Sequence, residues 1–255
     1  MKGLKTNKMK FLIQKIDREI RHDFSFTLLE SIRYLNWSSG HDDVKVKYIN
    51  YIDFDKENWN WYFKPFHQDY VPVGSVEFVL SWMKRFDVPT PKPLNVPEEL
   101  FKFTNRTIWN ADENGFHKGY GKLFIKSNDK IKSTCGVINE GELSLPKGNY
   151  QFSEEIEIDS EWRAFVYNGK LVGLQNYSGD FTMFPSVVEI ENMIDSYKTA
   201  PVAYTLDVGI FDEQTFVIEV HPMVSVGLYG FSDHRILPFM FARCHYEYLN
   251  NLKNW

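Results

Sequence analysis

The stretch AYTLDVGIFDEQTFVIEVHP, residues 203–222, decides the fold, because it joins two apolar runs through a short polar reversal. Each run has the length and the β-branched and aromatic content of a strand, and Asp212-Glu213-Gln214 predicts a tight turn between them. Each run also carries an acid, Asp207 in the first and Glu219 in the second. Side chains alternate along a strand, so Glu219 and His221 share one face, and pairing through the turn would let Asp207 join it.

This shared face predicts a site for a divalent cation. A cation offsets the mutual repulsion of two carboxylates and the cost of desolvating them. Magnesium uses few protein carboxylates and completes its shell with water and nucleotide phosphates. The alternative is structural, with Asp207 ending a strand and Glu219 facing solvent on a half-exposed sheet. Either acid alone favours that alternative, whereas their spacing across one turn favours a metal site.

A second strand pair and a helix precede this stretch. EWRAFVY (161–167) and KLVGLQNY (170–177) flank Asn168-Gly169, and these two residues tolerate positive φ, which predicts a hairpin. Apolar residues at helical spacing in VVEIENMIDSYKTAP predict a helix that Pro201 stops. Earlier still, LFIK (123–126) is typical of a strand. We therefore expect the second half of the chain to be rich in β-structure.

The proline-rich segment VPTPKPLNVP (88–97) predicts an extended connector and a domain boundary. Upstream of it, a helix is predicted around residues 24–34 with Phe26, Leu29 and Ile32 on one face. Another helix begins at Ser75, which can cap it. We therefore expect a small α/β N-terminal domain over 1–95 and a second domain over 96–255.

The composition excludes several classes of protein. A net charge of −5 over 255 residues gives no general attraction to nucleic acid or anionic lipid, so nucleic acid is not an expected partner. Two cysteines, Cys135 and Cys244, provide no disulfide framework, which is typical of a reducing cytoplasm. The first apolar run is too short for a signal-peptide core, and no run reaches the roughly eighteen apolar residues of a membrane span. We expect a soluble, cytoplasmic protein without a membrane partner.

Two further patterns suggest nucleotide binding. Lys126 ends the strand LFIK, and a polar loop with Lys130 and Lys132 follows, which suits phosphate oxygens. The loop matches neither the Walker nor the dinucleotide motif, and lysines beside loops are usually solvated. On EWRAFVY, Glu161 and Arg163 share a face, where Glu161 could accept from ribose hydroxyls and Arg163 could contact a phosphate or acyl-phosphate oxygen. The alternative is a surface ion pair of little energy.

Taken in chain order, these patterns resemble the ATP-grasp superfamily, in particular a clade common in phages and bacteria that was formerly a domain of unknown function. The resemblance runs from VPVGSVEFV at 71 to GLYGF at 231. Its most specific part is DVG, a turn, VIEVHP and GLYGF, which is similar to the family's aspartate followed by a glutamate-x-asparagine strand. It implies an α+β ATP-grasp fold, in which two α+β lobes hold ATP between them after a small α/β N-terminal domain. The lysine-bearing lobe would span about 100–153 and the metal-binding lobe about 154–240.

The resemblance also implies roles for individual residues. Magnesium ligands would come from the last strand pair, phosphate contacts from the lysines, adenine contacts from the hinge backbone, and ribose contacts from a glutamate. One arginine in FKFTNRTIW matches a basic position that the clade tends to keep upstream of the first lysine. The implied sets are Asp207, Glu219 and His221 for the metal; Lys126, Lys132, Glu154, Glu155, Ile156, Glu157 and Glu161 for ATP; and Arg163, Lys132 and Arg106 for catalysis.

One residue departs from the family pattern, because His221 stands where the family has asparagine. Magnesium prefers oxygen to imidazole nitrogen, so Mn²⁺ is an alternative to Mg²⁺, and His221 could instead contact phosphate. The implied reaction uses ATP to join a carboxylate to an amine through an acyl phosphate, releasing ADP and phosphate. Peptides and proteins are candidate acceptors, and the sequence identifies neither the acid nor the amine.

Two alternatives stay open. A nucleotidyl-transferring enzyme of the RNA-ligase type would use Lys126 as the nucleophile of a lysyl-AMP. Its K-x-D/N-G setting is missing here, since Ser127-Asn128-Asp129 follows the lysine without a glycine. A non-catalytic ATP-binding module with a relaxed metal site is the second alternative, and His221 keeps it open.

Overall fold

The chain divides into two structural units. The computed structural model describes residues 9–51, 63, 65–115, 119, 121–131, 133–139 and 144–252. The first unit consists of Met1–Thr90, Pro201–Ala203 and Met223–Trp255, and the second of Pro91–Ala200 and Tyr204–Pro222. The break between Thr90 and Pro91 falls inside the proline-rich connector. Among the described residues, no helix has the length and apolar content needed to cross a membrane.

The first unit is built on a three-stranded parallel sheet. The described elements are β1 (Lys10–Lys15), α1 (Asp23–Ser39), β2 (Lys45–Asn50), β3 (Tyr70–Val73), α2 (Val76–Arg85) and a later helix, Leu237–Leu252. The strand order is β2-β1-β3. The central strand β1 is fully buried at Phe11, Leu12 and Ile13, which is typical of a parallel strand covered on both faces. Leu12 packs with apolar residues of α2, among them Phe78 and Trp82.

Both helices predicted in this unit are confirmed in position, but the buried face of one of them was predicted wrongly at one residue. Ser75 caps α2, because its side-chain oxygen accepts from the Phe78 amide at 3.2 Å. The predicted face of α1 is wrong at Phe26, which is 60% exposed. The buried stripe instead contains Phe24 and Leu28 together with Leu29 and Ile32. Phe26 lies two residues from Phe24, about 200° around the helix axis, and therefore points to solvent.

Within the described residues, the second unit contains two four-stranded sheets. After a 3₁₀ helix at Glu98–Phe103, the elements are β4 (Ile108–Asp112), β5 (Lys122–Ser127), β6 (Cys135–Asn139), β7 (Asn149–Glu154), β8 (Ser160–Tyr167), β9 (Lys170–Gly179), α3 (Val187–Ser196), β10 (Ala203–Phe211) and β11 (Gln214–Pro222). One sheet has the order β4-β7-β5-β6 and the other the order β11-β10-β8-β9. The helix Leu237–Leu252 of the first unit is therefore α4.

Both predicted hairpins are confirmed. Tyr167 pairs with Lys170 around Asn168 and Gly169, whose φ angles are 52° and 68°. The reversal between β10 and β11 is shorter than predicted, because Phe211 pairs with Gln214 and leaves only two turn residues, Asp212 and Glu213. Both of these residues also have positive φ.

One face of the second sheet forms the main apolar core of this unit. Helix α3 covers that face with Ile190, Met193 and Ile194. The strands contribute alternate residues to the same cluster, which places the intervening side chains on the opposite face. The strand residues in the cluster are Trp162, Ala164, Val166, Tyr204, Leu206, Val208, Ile210, Val217 and Val220. Polar residues of β8, β10 and β11 that the sequence singles out therefore lie together on the other face.

Candidate active site

A β-bulge aligns the two predicted acids. From the turn, β10 and β11 pair regularly as far as Val208 and Val217. The next pair is Asp207 and Glu219, so Ile218 is an extra residue on β11. In an unbroken register Asp207 would lie opposite Ile218, and Glu219 would point toward the apolar core. The bulge turns Glu219 to the face that carries Asp207.

His221 completes an acidic cluster with these two residues. One ligand atom from each of Asp207, Glu219 and His221 lies within 4.8 Å of the other two. The His221 Nε2 is 3.0 Å from Glu219 Oε1 and 3.7 Å from Asp207 Oδ2. Two carboxylates and one imidazole at this separation are a donor set that fits a divalent cation. The structure thus brings the three predicted ligands together, and their binding of a metal stays a prediction.

Arg163 holds Asp207 in a buried, two-pronged ion pair. Arg163 Nε donates to Asp207 Oδ1 at 2.8 Å, and its terminal nitrogen donates to Oδ2 at 2.7 Å. The pair lies inside the fold, since Arg163 is 7% exposed and Asp207 is 1% exposed. The surface ion pair between Glu161 and Arg163, considered from the sequence, is therefore replaced by a buried pair with a residue of another strand. This geometry fixes the carboxylate plane of Asp207.

Lys126 brings the other sheet of the unit to the same cluster. It lies near the end of β5, and its ammonium group contacts Glu219 Oε2. Burial lowers the pKa of Lys126 to about 8. Cys135 is the partner of Lys126 on β6, and Gln151 its partner on β7. The lysine strand and the acidic strand pair therefore meet at one place, as the nucleotide hypothesis requires.

Glu161 lies beside the cluster and is linked to a tyrosine that the sequence did not single out. The Tyr177 hydroxyl donates to Glu161 Oε2 at 2.7 Å. The Arg163 guanidinium lies 5.6 Å from the centre of the Tyr177 ring. Burial, with nearby acids, raises the pKa of Tyr177, so its hydroxyl keeps its proton and stays a donor. Tyr177 is an extra residue of β9, between the partners of Trp162 and Glu161, so regular strand pairing gives no sequence signal for this contact.

The side chain of Arg106 contacts the backbone of β11 beside the cluster. Its two terminal nitrogens donate to the carbonyl oxygens of Val217 and Ile218, each at 2.9 Å. These carbonyls belong to the bulge beside Glu219. Burial lowers the pKa of Arg106 to about 10, which still leaves the group charged at neutral pH. The predicted catalytic role of Arg106 stays untested, and its placement indicates contact with β11.

The predicted hinge follows β7. Glu154 ends that strand, and its Oε2 accepts from the Thr107 amide at 2.6 Å. Glu155, Ile156 and Glu157 have no regular structure, so their backbone groups are not used in a sheet ladder. Lys132, predicted for phosphate binding and catalysis, lies outside the described residues. The adenine role of residues 154–157 stays a prediction.

Comparison with known proteins gives the family. Residues 103–238, more than half of the chain, match the family model described as ATP-grasp domain, R2K clade family 2. No curated protein matches the chain.

Several solved structures share the fold at low sequence identity. N5-carboxyaminoimidazole synthetase from Staphylococcus aureus is 11% identical with a TM-score of 0.56, over 93% of this chain and 79% of that one. D-alanine–D-alanine ligase from Bacillus anthracis is 9% identical with a TM-score of 0.52, over 96% and 99%. The ATP-grasp ligase PsnB, complexed with minimal precursor, is 12% identical with a TM-score of 0.50, over 92% and 99%. The α+β ATP-grasp fold is confirmed, and the chain belongs to the ATP-grasp family, in family 2 of the R2K clade.

Proposed function

We propose that this chain is an ATP-dependent ligase that joins a carboxylate to an amine through an acyl phosphate and releases ADP and phosphate. One observation carries the proposal: Asp207, Glu219 and His221 converge within 4.8 Å, and Lys126 and Arg163 contact the two acids. The cluster joins acidic groups that suit a cation with basic groups that suit phosphate. Triphosphate chemistry needs both charges in one place.

The two carboxylates and the imidazole of the cluster suit a divalent cation. Asp207 and Glu219 would provide hard oxygen ligands, and His221 would provide a nitrogen ligand or a phosphate contact. When bound, Mg²⁺ supplies positive charge to the β- and γ-phosphate oxygens. Imidazole nitrogen suits Mn²⁺ better than Mg²⁺, so Mn²⁺ is the alternative ion.

The basic residues would orient and neutralise the phosphates. Lys126, at the junction of the two sheets, would exchange its contact with Glu219 for a contact with a phosphate oxygen. Arg163 is anchored on Asp207, and its guanidinium is proposed to contact a phosphate or acyl-phosphate oxygen as well. Lys132 is proposed as a further phosphate contact. With these groups fixed, catalysis comes from positioning and charge stabilisation.

The rest of ATP would lie along the end of β7 and the start of β8. The backbone of residues 154–157 is proposed to contact adenine, and Glu161 is proposed to accept from the ribose hydroxyls. Glu161 is already oriented by the Tyr177 hydroxyl, which occupies one of its oxygens. A carboxylate can accept at both of its oxygens, so Glu161 can accept from a second donor.

The proposed reaction has two steps. A carboxylate oxygen of the substrate attacks the γ-phosphorus, the bond to the β–γ bridging oxygen breaks, and ADP leaves. The amine nitrogen then attacks the acyl carbon, phosphate leaves with the acyl oxygen, and the amine loses a proton. The similar structures include a D-alanine–D-alanine ligase and a ligase solved with a precursor, so amino acids and peptides are the first acceptors to test.

Product analysis tests the proposal. Purified protein is incubated with ATP, Mg²⁺ and a panel of amino acids and short peptides, and nucleotide products are separated by chromatography. We expect acid-dependent formation of ADP and phosphate, with hydroxylamine trapping the acyl group as a hydroxamate. Glu219→Gln serves as the inactive control. Formation of AMP and pyrophosphate would exclude the proposed chemistry, and tight ATP binding without turnover across the panel would favour a non-catalytic module.

A nucleotidyl-transferring enzyme is the second candidate, and the burial of the Lys126 ammonium group beside the acidic cluster is the observation that favours it. A lysine with a pKa near 8 is deprotonated far more often at neutral pH than an ordinary lysine and is a better nucleophile. Incubation with ATP and metal, followed by intact-mass measurement, distinguishes the two candidates. A mass increase equal to AMP on Lys126 would support this candidate over the ligase.

A further inference from the structure

The bulge on β11 is held by a residue from outside the hairpin. Val217 and Val220 both belong to the apolar core, although residues three apart on a regular strand point to opposite faces. Phe216, by contrast, lies against Gly209 on the face of the acidic cluster. The extra residue Ile218 reconciles these positions. The direction of Glu219 therefore depends on the bulge.

The two carbonyl groups at this bulge share one donor. On a regular strand, successive carbonyl groups point to opposite sides, so a single guanidinium does not reach two in a row. Arg106 donates to the Val217 and Ile218 oxygens at 2.9 Å each, which requires the local turn of the bulge. Among the strands that the structure describes, β11 is also an edge strand of its sheet, without a neighbouring strand on its far side.

The segment that carries Arg106 is itself fixed. The single proton of the buried Thr104 hydroxyl is shared between the Phe101 carbonyl at 2.8 Å and the Arg106 carbonyl at 2.9 Å. Asn95, at the start of this segment, accepts from the Val220 amide through its carbonyl at 2.6 Å. Two contacts therefore bracket Glu219 on β11, one on each side.

We propose that Arg106 is a positioning residue, which clamps the Val217–Ile218 bulge so that Glu219 faces Asp207, and that it does not contact phosphate. The inference rests on the proposed function, since it concerns the same cation site. Groups that orient a metal ligand typically change metal affinity or activity by about 10–100-fold when removed. A phosphate contact would instead change nucleotide affinity even without metal.

The test separates these two effects in Arg106→Met. The affinity of a nonhydrolysable ATP analogue is measured by calorimetry in EDTA and then with Mn²⁺. The ratio of the two affinities is the metal enhancement, the factor by which metal strengthens nucleotide binding. We expect affinity in EDTA within about twofold of wild type and an enhancement reduced by about 10-fold or more. Gln214→Ala is the matched control, because it removes the neighbouring hydrogen bond from Asn105 (2.8 Å) to the same hairpin without touching the bulge. It should behave as wild type.

Deletion of Ile218 provides an independent rescue. Without that residue, Val217 and Glu219 become neighbours in a regular strand, and Glu219 still pairs with Asp207 on the cluster face. Arg106→Met should then lose little or none of the metal enhancement in the deletion background. If the deletion variant does not fold, the comparison in EDTA and Mn²⁺ decides alone.

Two results would overturn the inference. A drop of 10-fold or more in EDTA affinity would identify Arg106 as a phosphate contact, and an unchanged metal enhancement would show that the bulge holds without it. Failure of the proposed ligase reaction has a different signature, because product analysis would then show no acid-dependent ADP and phosphate, while the binding measurements would still decide the role of Arg106.

Discussion

Asp207 and Glu219 are both expected to be essential for turnover, yet only one of them should be essential for stability. Asp207→Asn removes the charge that compensates Arg163 inside the fold, where both groups are nearly inaccessible. Breaking a buried ion pair from one side typically destabilises a protein by 3–5 kcal/mol, because the remaining charge is uncompensated. Asparagine keeps one acceptor for Arg163, so we expect the lower end, about 3 kcal/mol.

Glu219→Gln should destabilise much less, by about 1 kcal/mol. Its partner Lys126 has a pKa of about 8 and can lose its proton, whereas the guanidinium of Arg163 cannot. Urea unfolding followed by circular dichroism measures both free energies of unfolding, and ATP turnover should fall more than about 100-fold in both variants. As a control, the double variant Arg163→Met/Asp207→Leu should recover most of the stability and none of the turnover.

The contrast between the variants is the result that decides. If Asp207→Asn unfolds within 1 kcal/mol of wild type, the Arg163–Asp207 pair does not contribute as its burial implies. If Glu219→Gln keeps near-normal turnover, Glu219 is not a metal ligand and the site assignment is wrong.

Three further predictions concern single side chains. His221→Asn should keep Mg²⁺-dependent turnover within about threefold and lower the ratio of Mn²⁺- to Mg²⁺-supported rates, since it replaces nitrogen by oxygen; loss of all turnover would contradict a ligand role. Burial lowers the pKa of His245 to about 4, below its ordinary 6.5, so the unfolded chain takes up the proton first as pH falls and stability is lost between pH 6.5 and 4. From pH 7 to 5 the free energy of unfolding of wild type should fall by about 2 kcal/mol through this histidine. Urea titrations at the two pH values measure the fall, and His245→Gln should lose about 2 kcal/mol less than wild type. Ser75→Ala should destabilise the first unit by about 1 kcal/mol through loss of the α2 cap, whereas Ser75→Asp should not.

The sequence predicts the elements of the second unit well because their signals are local. Alternation and the Asn168-Gly169 turn specify the β8–β9 hairpin, and helical spacing followed by Pro201 specifies α3. The acids of β10 and β11 stand out in the sequence because their spacing across one predicted turn favours a shared face, and Lys126 stands out because it ends an apolar strand beside a polar loop. These patterns do not depend on which elements meet in space.

Partners across the fold are not local and could not be predicted. Glu161 and Arg163 are two residues apart on one strand, which suggests a pair, yet each binds a residue of a neighbouring strand instead. These partners are Tyr177 for Glu161 and Asp207 for Arg163, at distances of 2.7–2.8 Å. Only the order of strands in the sheet brings them together. Arg106 was chosen by resemblance, and its contact with two carbonyl groups has no signal in the side-chain pattern.

The convergence of Asp207 and Glu219 was predicted correctly, but simple alternation does not account for it. Counting outward from the two-residue turn pairs residue 211 with 214 and would pair Asp207 with Ile218, which leaves Glu219 on the core face. The segment FVIEVH does contain a hint, because Val217 and Val220 are apolar at a spacing of three, which a regular half-buried strand would not bury on one side. When the buried positions of a strand shift from odd to even residue numbers, the strand must contain one extra residue. Here that extra residue directly precedes the acid. An acid placed directly after such a change of parity is turned away from the core, so the bulge is as much a part of the proposed cation site as the acids themselves.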